Sequence, residues 1–175
     1  LTGGTLTLNA PVSVGSSSLC LSGSGGISQT AAGTITAGAL YIEWDSADAD
    51  ADVILDQPGN DAGILAAYLG DVDLIYSDSN ALEIGDTTFY SGITSTVGNV
   101  VVTSGGTLTI SRDVNAGSGT VTLNAATGGV IQSGGALTAS GLLLQGAGTA
   151  SLDSAANDVA TLAADFTGDI SYTDA

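Results

Sequence analysis

The sequence predicts an all-β fold, a β-solenoid in which each coil contains three short strands. Two observations carry this prediction: short segments in which aliphatic residues alternate with threonine, and an internal repeat of roughly one hundred residues. The glycine content agrees with it, because 26 glycines against two prolines indicate many tight turns between short elements.

Alternation of period two is clearest in residues 5–8, 34–36, 107–110 and 120–123. Such alternation is typical of a strand with one buried face, so the aliphatic residues are predicted to face inward. Grouped in threes, the strands give coils of roughly 20 to 22 residues, the length of one solenoid turn. The predicted inward-facing residues are Leu6, Leu108, Val121, Leu123, Leu143, Leu152 and Leu162, with Val114, Ile131, Leu137 and Ile170 completing the coils.

An antiparallel β-sandwich is the competing architecture. Its hairpins would favour Asn-Gly or Asp-Gly turns. Neither dipeptide occurs in the sequence, although Gly-Gly and Ser-Gly do. The sequence therefore favours the solenoid, which with about eight coils would be roughly 40 Å long.

The internal repeat divides the chain into two copies. GGTLTL at residues 3–8 reappears as GGTLTI at residues 105–110, a shift of 102. Beyond residue 142 the shift is 97, which we interpret as a five-residue insertion at about residues 43–53 of the first copy, EWDSADADADV. Residues 1–102 are therefore a first solenoid repeat and residues 103–175 a second, incomplete one, within one continuous β-helix.

Composition excludes several classes of partner. The chain has 18 acidic residues against a single basic one and a formal net charge of −17, yet 43% of its residues are hydrophobic, which argues against disorder. Arg112 alone cannot neutralise a phosphate backbone, so we expect no nucleic-acid partner and no binding to anionic membranes. Membrane insertion is not expected either, because the most apolar stretch, residues 62–70, is too short to span a bilayer. Cys20 is the only cysteine, so the chain forms no internal disulfide.

The repeat phrases resemble those of a known family. GGTLTISRDVNAGSGTVTLNAATGGVIQSGGALTASGLLLQG and the later NDVATLAADFTGDISYTDA are similar to repeats of filamentous haemagglutinin-type, two-partner-secreted bacterial adhesins. The resemblance covers essentially the whole chain, and it implies a right-handed parallel β-helix, export, and a location on the bacterial surface or in the extracellular matrix. It implies no particular ligand. The chain ends are then interpreted as cuts through a longer polypeptide.

The function expected from this resemblance is that of a structural and adhesive shaft segment. Its partners would be neighbouring repeats of the same polypeptide or further copies, and a surface glycan or host-cell receptor. A subunit of a self-assembling extracellular filament or sheath is an alternative, and a polysaccharide-acting β-helix enzyme is another. We do not expect an enzyme, because the chain has no histidine, no Ser-His or Cys-His nucleophile arrangement and no phosphate-binding loop with a lysine.

The acidic insertion is the candidate metal site. Asp45, Asp48, Asp50 and Asp52 lie within eight residues, and clustered carboxylates in a loop are ligands that calcium prefers. The spacing matches neither the EF-hand loop nor the glycine-rich nonapeptide repeat. A solvated loop without metal is the alternative. No other cofactor is expected.

Two further groups of residues are candidates for binding. Asx residues recur between the copies and, if equivalent turns align, would form an acidic stripe along one side of the shaft, although Asx residues at corners usually serve turns. Tyr41 and Trp44 border the acidic insertion and could contact a sugar, or could pack at the base of the loop. The recurring residues are Asp56 and Asp153, Asn60 and Asn157, Asp61 and Asp158, Asp71 and Asp169, and Asp78 and Asp174.

Calcium should distinguish a metal site from a solvated loop. If the four aspartates bind the ion, millimolar calcium will raise the melting temperature above that of a sodium control of equal ionic strength, because a ligand that binds only the folded state stabilises it. Replacing Asp45, Asp48, Asp50 and Asp52 by Asn should then remove the difference. Equal melting curves in the two salts would assign the insertion to a solvated loop.

Overall fold

The computed structural model describes residues 1–44 and 51–175, and in these residues the chain forms strands and turns but no helix. The strands are β1 (Thr2–Gly3), β2 (Leu6–Leu8), β3 (Val12–Gly23), β4 (Ile27–Gln29), β5 (Ile35–Trp44), β6 (Val53–Leu55), β7 (Asp61–Tyr68), β8 (Leu74–Asp78), β9 (Leu82–Ile84), β10 (Ile93–Thr94), β11 (Val100–Ser104), β12 (Leu108–Ile110), β13 (Val114–Asn115), β14 (Thr120–Ala125), β15 (Val130–Gln132), β16 (Leu137–Ala139), β17 (Gly141–Gly146), β18 (Ala150–Leu152), β19 (Asp158–Val159), β20 (Leu162–Phe166) and β21 (Ile170–Tyr172).

The strands stack as a parallel β-solenoid of about eight turns, which confirms the predicted fold class. All pairings between the strands named above are parallel, so the antiparallel sandwich is wrong. One sheet has eight strands, and the remaining strands form a thirteen-stranded sheet. The eight-stranded sheet runs in the order β2, β4, β6, β8, β11, β14, β17, β20.

The thirteen-stranded sheet changes along the solenoid axis. Its first coils use the long strands β3, β5 and β7, of 12, 10 and 8 residues. From β9 onward each coil instead contributes two short strands, so that three strands per coil are found in the second part of the chain. The long strand β3 bends at register shifts around Gly15, whose φ of +59° is a conformation that favours glycine.

Aliphatic side chains stacked in register form the core. In the eight-stranded sheet the inward column consists of residues at most 2% exposed, and each contributes about 1.5–3 kcal/mol by burial. Val121 and Leu123 of β14 both face inward as predicted, and so do Leu108 and Leu152. The column runs through Ile27, Val53, Leu74, Val100, Val121 and Leu142.

Five of the predicted inward positions are less buried in the structure than predicted. Leu143 pairs with Thr122 on the outer face, while Leu142 and Leu144 are buried, because a run of three leucines carries no alternation to fix the register. Ile131 also faces outward and is 44% exposed. Leu162 is in register with the inward Leu142, but it lies on the edge strand β20 and is 41% exposed. Two residues on edge strands are also less buried than predicted: Ile170 is exposed and Leu6 is half-buried.

Registers in the eight-stranded sheet give the length of each coil. Most coils contain 20 or 21 residues, as from Leu6 to Ile27. Two contain 26: the coil from Ile27 to Val53, which includes the acidic segment, and the coil from Leu74 to Val100. The five extra residues of the second long coil are part of a loop at residues 85–92.

The sequence repeat is not a whole number of coils. Four coils lead from Leu6 to Val100, a span of 94 residues, so a shift of 102 ends eight residues later, on the next strand, at Leu108. Matched strands of the two copies therefore occupy different places around the coil: β2, for example, is in the eight-stranded sheet, whereas β12 is in the thirteen-stranded sheet. For this reason the expectation that equivalent turns align on one side is wrong.

A buried asparagine joins three consecutive coils in each copy, at positions that match in the sequence repeat. The Oδ1 atom of Asn60 accepts from the Ile35 amide at 3.0 Å and from Gln29 Nε2 at 3.0 Å. Its Nδ2 atom lies 3.1 Å from the carbonyl oxygen of Leu55 and 3.0 Å from that of Ser77. Asn157 makes the matching contacts with Gln132, Leu137, Leu152 and Thr173. Both asparagines are fully buried.

Removing this asparagine should destabilise the fold. Asn60→Ala leaves buried backbone groups of Ile35 and Leu55 without a partner, so we expect a loss of about 2–4 kcal/mol in the free energy of unfolding. Asn124→Ala, at a half-buried outer position of β14, is the control and should cost less than about 0.5 kcal/mol. Urea unfolding followed by circular dichroism measures both. Equal losses would show that the Asn60 contacts do not stabilise the corner.

Candidate functional site

Residues 85–92 form a hairpin that projects from the solenoid between β9 and β10. Its base is closed by the Gly92 amide, which donates to the Gly85 carbonyl at 2.9 Å, and Asp86 pairs with Ser91 in an antiparallel bridge. The Thr87 amide donates to the carbonyl of Tyr90 at 2.8 Å. Gly92 has φ of +69°, and a Cβ there would lie 2.2 Å from the carbonyl oxygen of Asp113, so this position requires glycine. We call this loop the 85–92 hairpin.

The 85–92 hairpin places two aromatic rings on the outer face of the long strands. Phe89 packs on Tyr41 with ring centroids 4.8 Å apart. Tyr90 lies 5.9 Å from Tyr41 and stacks on Tyr68 at 5.8 Å with an interplanar angle of 11°. We call Tyr41, Tyr68, Phe89 and Tyr90 the aromatic patch. Tyr41 is only 8% exposed, whereas Phe89 is 67% and Tyr68 49% exposed.

A carboxylate lies within the patch. The Tyr90 hydroxyl donates to Glu43 Oε1 at 2.6 Å, and this bond, with burial, raises the pKa of Tyr90 to about 12. Burial, with a smaller contribution from Cys20, raises the pKa of Tyr41 to about 12. Both tyrosines therefore stay neutral at physiological pH, and the formal charge of the patch comes from Glu43.

Arg112 fixes the base of the 85–92 hairpin. Its guanidinium, on the following coil, donates from Nε to Asp86 Oδ1 at 2.8 Å and from Nη2 to the other carboxylate oxygen. Asp86 also accepts from the Ser91 hydroxyl at 2.7 Å. The bonds from Arg112 and Ser91 hold the pKa of Asp86 below its usual range. The basic residue of the chain is thus already engaged by a carboxylate.

Most of the predicted calcium ligands fall outside the described residues. Asp45, Asp48 and Asp50 are in this group, so the calcium prediction stays a prediction. Asp52 is described, and its Oδ1 accepts from the Asp73 amide at 3.2 Å while its carbonyl accepts from Ile27 at 3.1 Å. Within residues 1–44 and 51–175, no three Asp, Glu, Cys or His side chains are grouped as metal ligands would be.

The recurring Asx residues mostly serve the fold. Besides Asn60 and Asn157, Asp78 Oδ2 accepts from the Tyr76 hydroxyl and the Ala62 amide, both at 2.8 Å. In the same way, Asp174 Oδ1 accepts from the Tyr172 hydroxyl at 2.8 Å and from the Val159 amide at 3.1 Å. Hydrogen bonds from Ser171 and Ser151 hold the pKa of Asp153 below its usual range. These carboxylates bind neighbouring strands of the same solenoid.

The aromatic pair suggested by the sequence is split between two faces. Tyr41 points outward into the aromatic patch, whereas Trp44 is 2% exposed in the core, and its indole Nε1 has no hydrogen-bond partner among the described residues. Sequence reasoning did not assign Phe89 and Tyr90 to this patch. The available signal was GDTTFYSG, an aromatic pair between glycines inside a coil that is five residues too long.

Comparison with known proteins gives one match. A family model described as "Repeats of unknown function (DUF5649)" matches residues 1–67. The first coils thus resemble a repeat family. No curated protein and no solved structure matches the chain significantly. The match agrees with a repeat protein and names no adhesin. In the described residues no helix is long and apolar enough to cross a membrane.

Stability should rise as the pH falls from 7 towards 4. Asp78 is 3% exposed, and burial raises its pKa above the ordinary value of 3.8 despite bonds from Ala62, Asn80 and Tyr76. A carboxyl whose pKa is raised by folding stabilises the folded state when protonated, and this contribution is lost as pH rises through the folded value.

We therefore expect the melting temperature to increase on acidification, and to increase less in Asp78→Asn. The exposed Asp165→Asn variant removes one charge without altering a buried group, so it should keep the parental slope. Asp86 and Asp153, whose pKa values are lowered, act in the opposite direction, but only near and below pH 3.8. Identical slopes for Asp78→Asn and the parent would contradict the assignment to Asp78.

Proposed function

We propose that the segment is a structural and adhesive shaft of a large secreted bacterial protein, located at the cell surface or in the extracellular matrix. The observation that carries the proposal is the continuous inward column of aliphatic residues, which makes the described coils one stack with a shared core. In such a stack each coil contacts only its neighbours, so the structure extends along one axis and holds surface groups at fixed positions.

The surface chemistry supports a location outside the cell. Outward positions carry mainly Thr, Ser, Asn and Asp, with a net charge of −17 and one basic residue. The resemblance of the repeats to filamentous haemagglutinin-type adhesins supports export by two-partner secretion. We infer that the partners are neighbouring repeats and a surface receptor or glycan, with no nucleic acid and no membrane insertion.

A filament subunit is the second candidate. A parallel stack of coils can be continued by another chain wherever an edge strand is left uncovered. End-to-end association of copies would then produce fibres.

We further propose that the segment has no catalytic role. Two acid–tyrosine pairs, the buried Tyr76–Asp78 and the more exposed Tyr172–Asp174, hold neighbouring strands by hydrogen bonds, so these carboxyl groups are engaged in the fold. Calcium is the single cofactor proposed, at the acidic insertion. The polysaccharide-acting alternative predicts release of reducing sugar from a polysaccharide panel, which we expect to be absent.

A shaft segment should form discrete particles. Small-angle scattering and negative-stain electron microscopy should give a maximum dimension of roughly 40 Å that is independent of protein concentration, as expected for about eight coils. Antibodies against the segment should label intact, unpermeabilised cells of the source bacterium. Labelling only after permeabilisation would contradict the surface location.

Long fibres would instead support the filament candidate. In that case Ile170→Lys, which places a charge on an edge strand, should abolish fibres, whereas Ile131→Lys on the outer face should not. Fibres that persist in both variants would show that association does not involve this end of the solenoid.

A further inference from the structure

We propose that the aromatic patch, together with Glu43, binds an arginine-bearing segment of a partner protein. The site is a surface onto which guanidinium groups stack, with the carboxylate beside the rings as counter-charge. Binding of this kind depends on the chemistry of one surface and not on where the segment is located.

Aromatic rings are concentrated and exposed at this surface. The chain has eight aromatic residues, one Trp, five Tyr and two Phe, and four of them form the patch. Phe89 is 67% exposed at the tip of the 85–92 hairpin, and Tyr68 is 49% exposed beside it. Groups of exposed aromatic rings are uncommon on protein surfaces, so a group of this kind indicates an interaction site.

Contacts within the protein hold the patch in place before any partner binds. The 85–92 hairpin is closed by the Gly92–Gly85 bond and clipped to the following coil by the Arg112–Asp86 ion pair. The Tyr90 hydroxyl is fixed on Glu43 at 2.6 Å. Binding therefore immobilises few side chains of this protein, which reduces the entropic cost of association.

The rings and the negative charge of the protein complement a cationic partner. Aromatic faces attract cations, and a guanidinium stacks on them better than an ammonium because it is planar and less strongly hydrated. The sequence from 43 to 86 holds 12 of the 18 acidic residues, and the net charge of −17 favours the approach of a cationic partner.

The partner is not a second copy of this chain. A copy brings a further −17 charges, and its basic residue, Arg112, is already bound to Asp86. The occupant is instead a segment of another protein that carries several arginines. A neutral glycan, which can also lie on aromatic rings, is the other class of ligand that the experiment separates.

Binding of fluorescently labelled octa-arginine, measured by anisotropy at about 0.15 M salt, tests the proposal. Phe89→Leu and Tyr68→Leu keep the net charge and apolar bulk but remove a ring, and each should weaken binding about three- to tenfold. Val97→Ala, at an exposed apolar position outside the patch (52% exposed), should leave it unchanged. Octa-lysine should bind more weakly than octa-arginine.

Variants that remove one charge distinguish binding at the patch from attraction by the overall negative charge of the protein. Glu43→Gln should weaken octa-arginine binding more than Asp165→Asn, although both remove one charge. If these two variants had equal effects and neither Phe89→Leu nor Tyr68→Leu had any, the overall charge alone would explain the binding. That result would overturn the proposal. Ring-dependent binding to uncharged oligosaccharides without octa-arginine binding would overturn it as well. Melting curves confirm that each variant is folded.

Discussion

The structure depends on parallel pairing between consecutive coils, in which each coil supplies backbone donors and acceptors to the one before and the one after it. In-register pairing repeats at 20 or 21 residues in most coils and aligns Val100, Val121 and Leu142 in one column. The column buries aliphatic side chains while the ladder satisfies backbone groups, so neither can shift without the other. A coil with extra residues must therefore place them outside the ladder.

The 26-residue coil from Leu74 to Val100 obeys this constraint. Its surplus leaves the coil at Gly85, returns at Gly92 and folds against the outer face, where it covers Tyr41 and exposes Phe89. The corners face a related requirement, since the backbone turns there and some groups lose their ladder partners. Asn60 and Asn157 supply these partners with a side-chain amide, which offers donors and an acceptor at once.

Much of the solenoid could be predicted because alternation records which face of a strand is buried. Val121 and Leu123 alternate with threonine and face inward, whereas the run Leu142-Leu143-Leu144 has no such mark, and its register is set by the pairing with β14. The path of the repeat could not be predicted either, because a shift of 102 residues says nothing about how many residues one coil requires.

The candidate site was the least predictable part. Its residues come from three places far apart in the sequence, with Tyr41 and Glu43 on β5, Tyr68 on β7 and two rings on the hairpin. Local patterns describe neighbours along a strand, and the patch arises from neighbours across coils. The asparagine corners were visible as a recurring Asn-Asp pair, but their burial depends on the coils above and below them.

From one copy to the next, the matched sequence advances by one strand around the coil. If further copies followed with the same spacing, each would present its equivalent surface at a new azimuth around the axis, and the positions would trace a screw. An array of this kind offers the same contact in several directions, so a ligand could be engaged whichever way the shaft is turned. Simultaneous engagement of several such contacts raises avidity without any stronger individual contact.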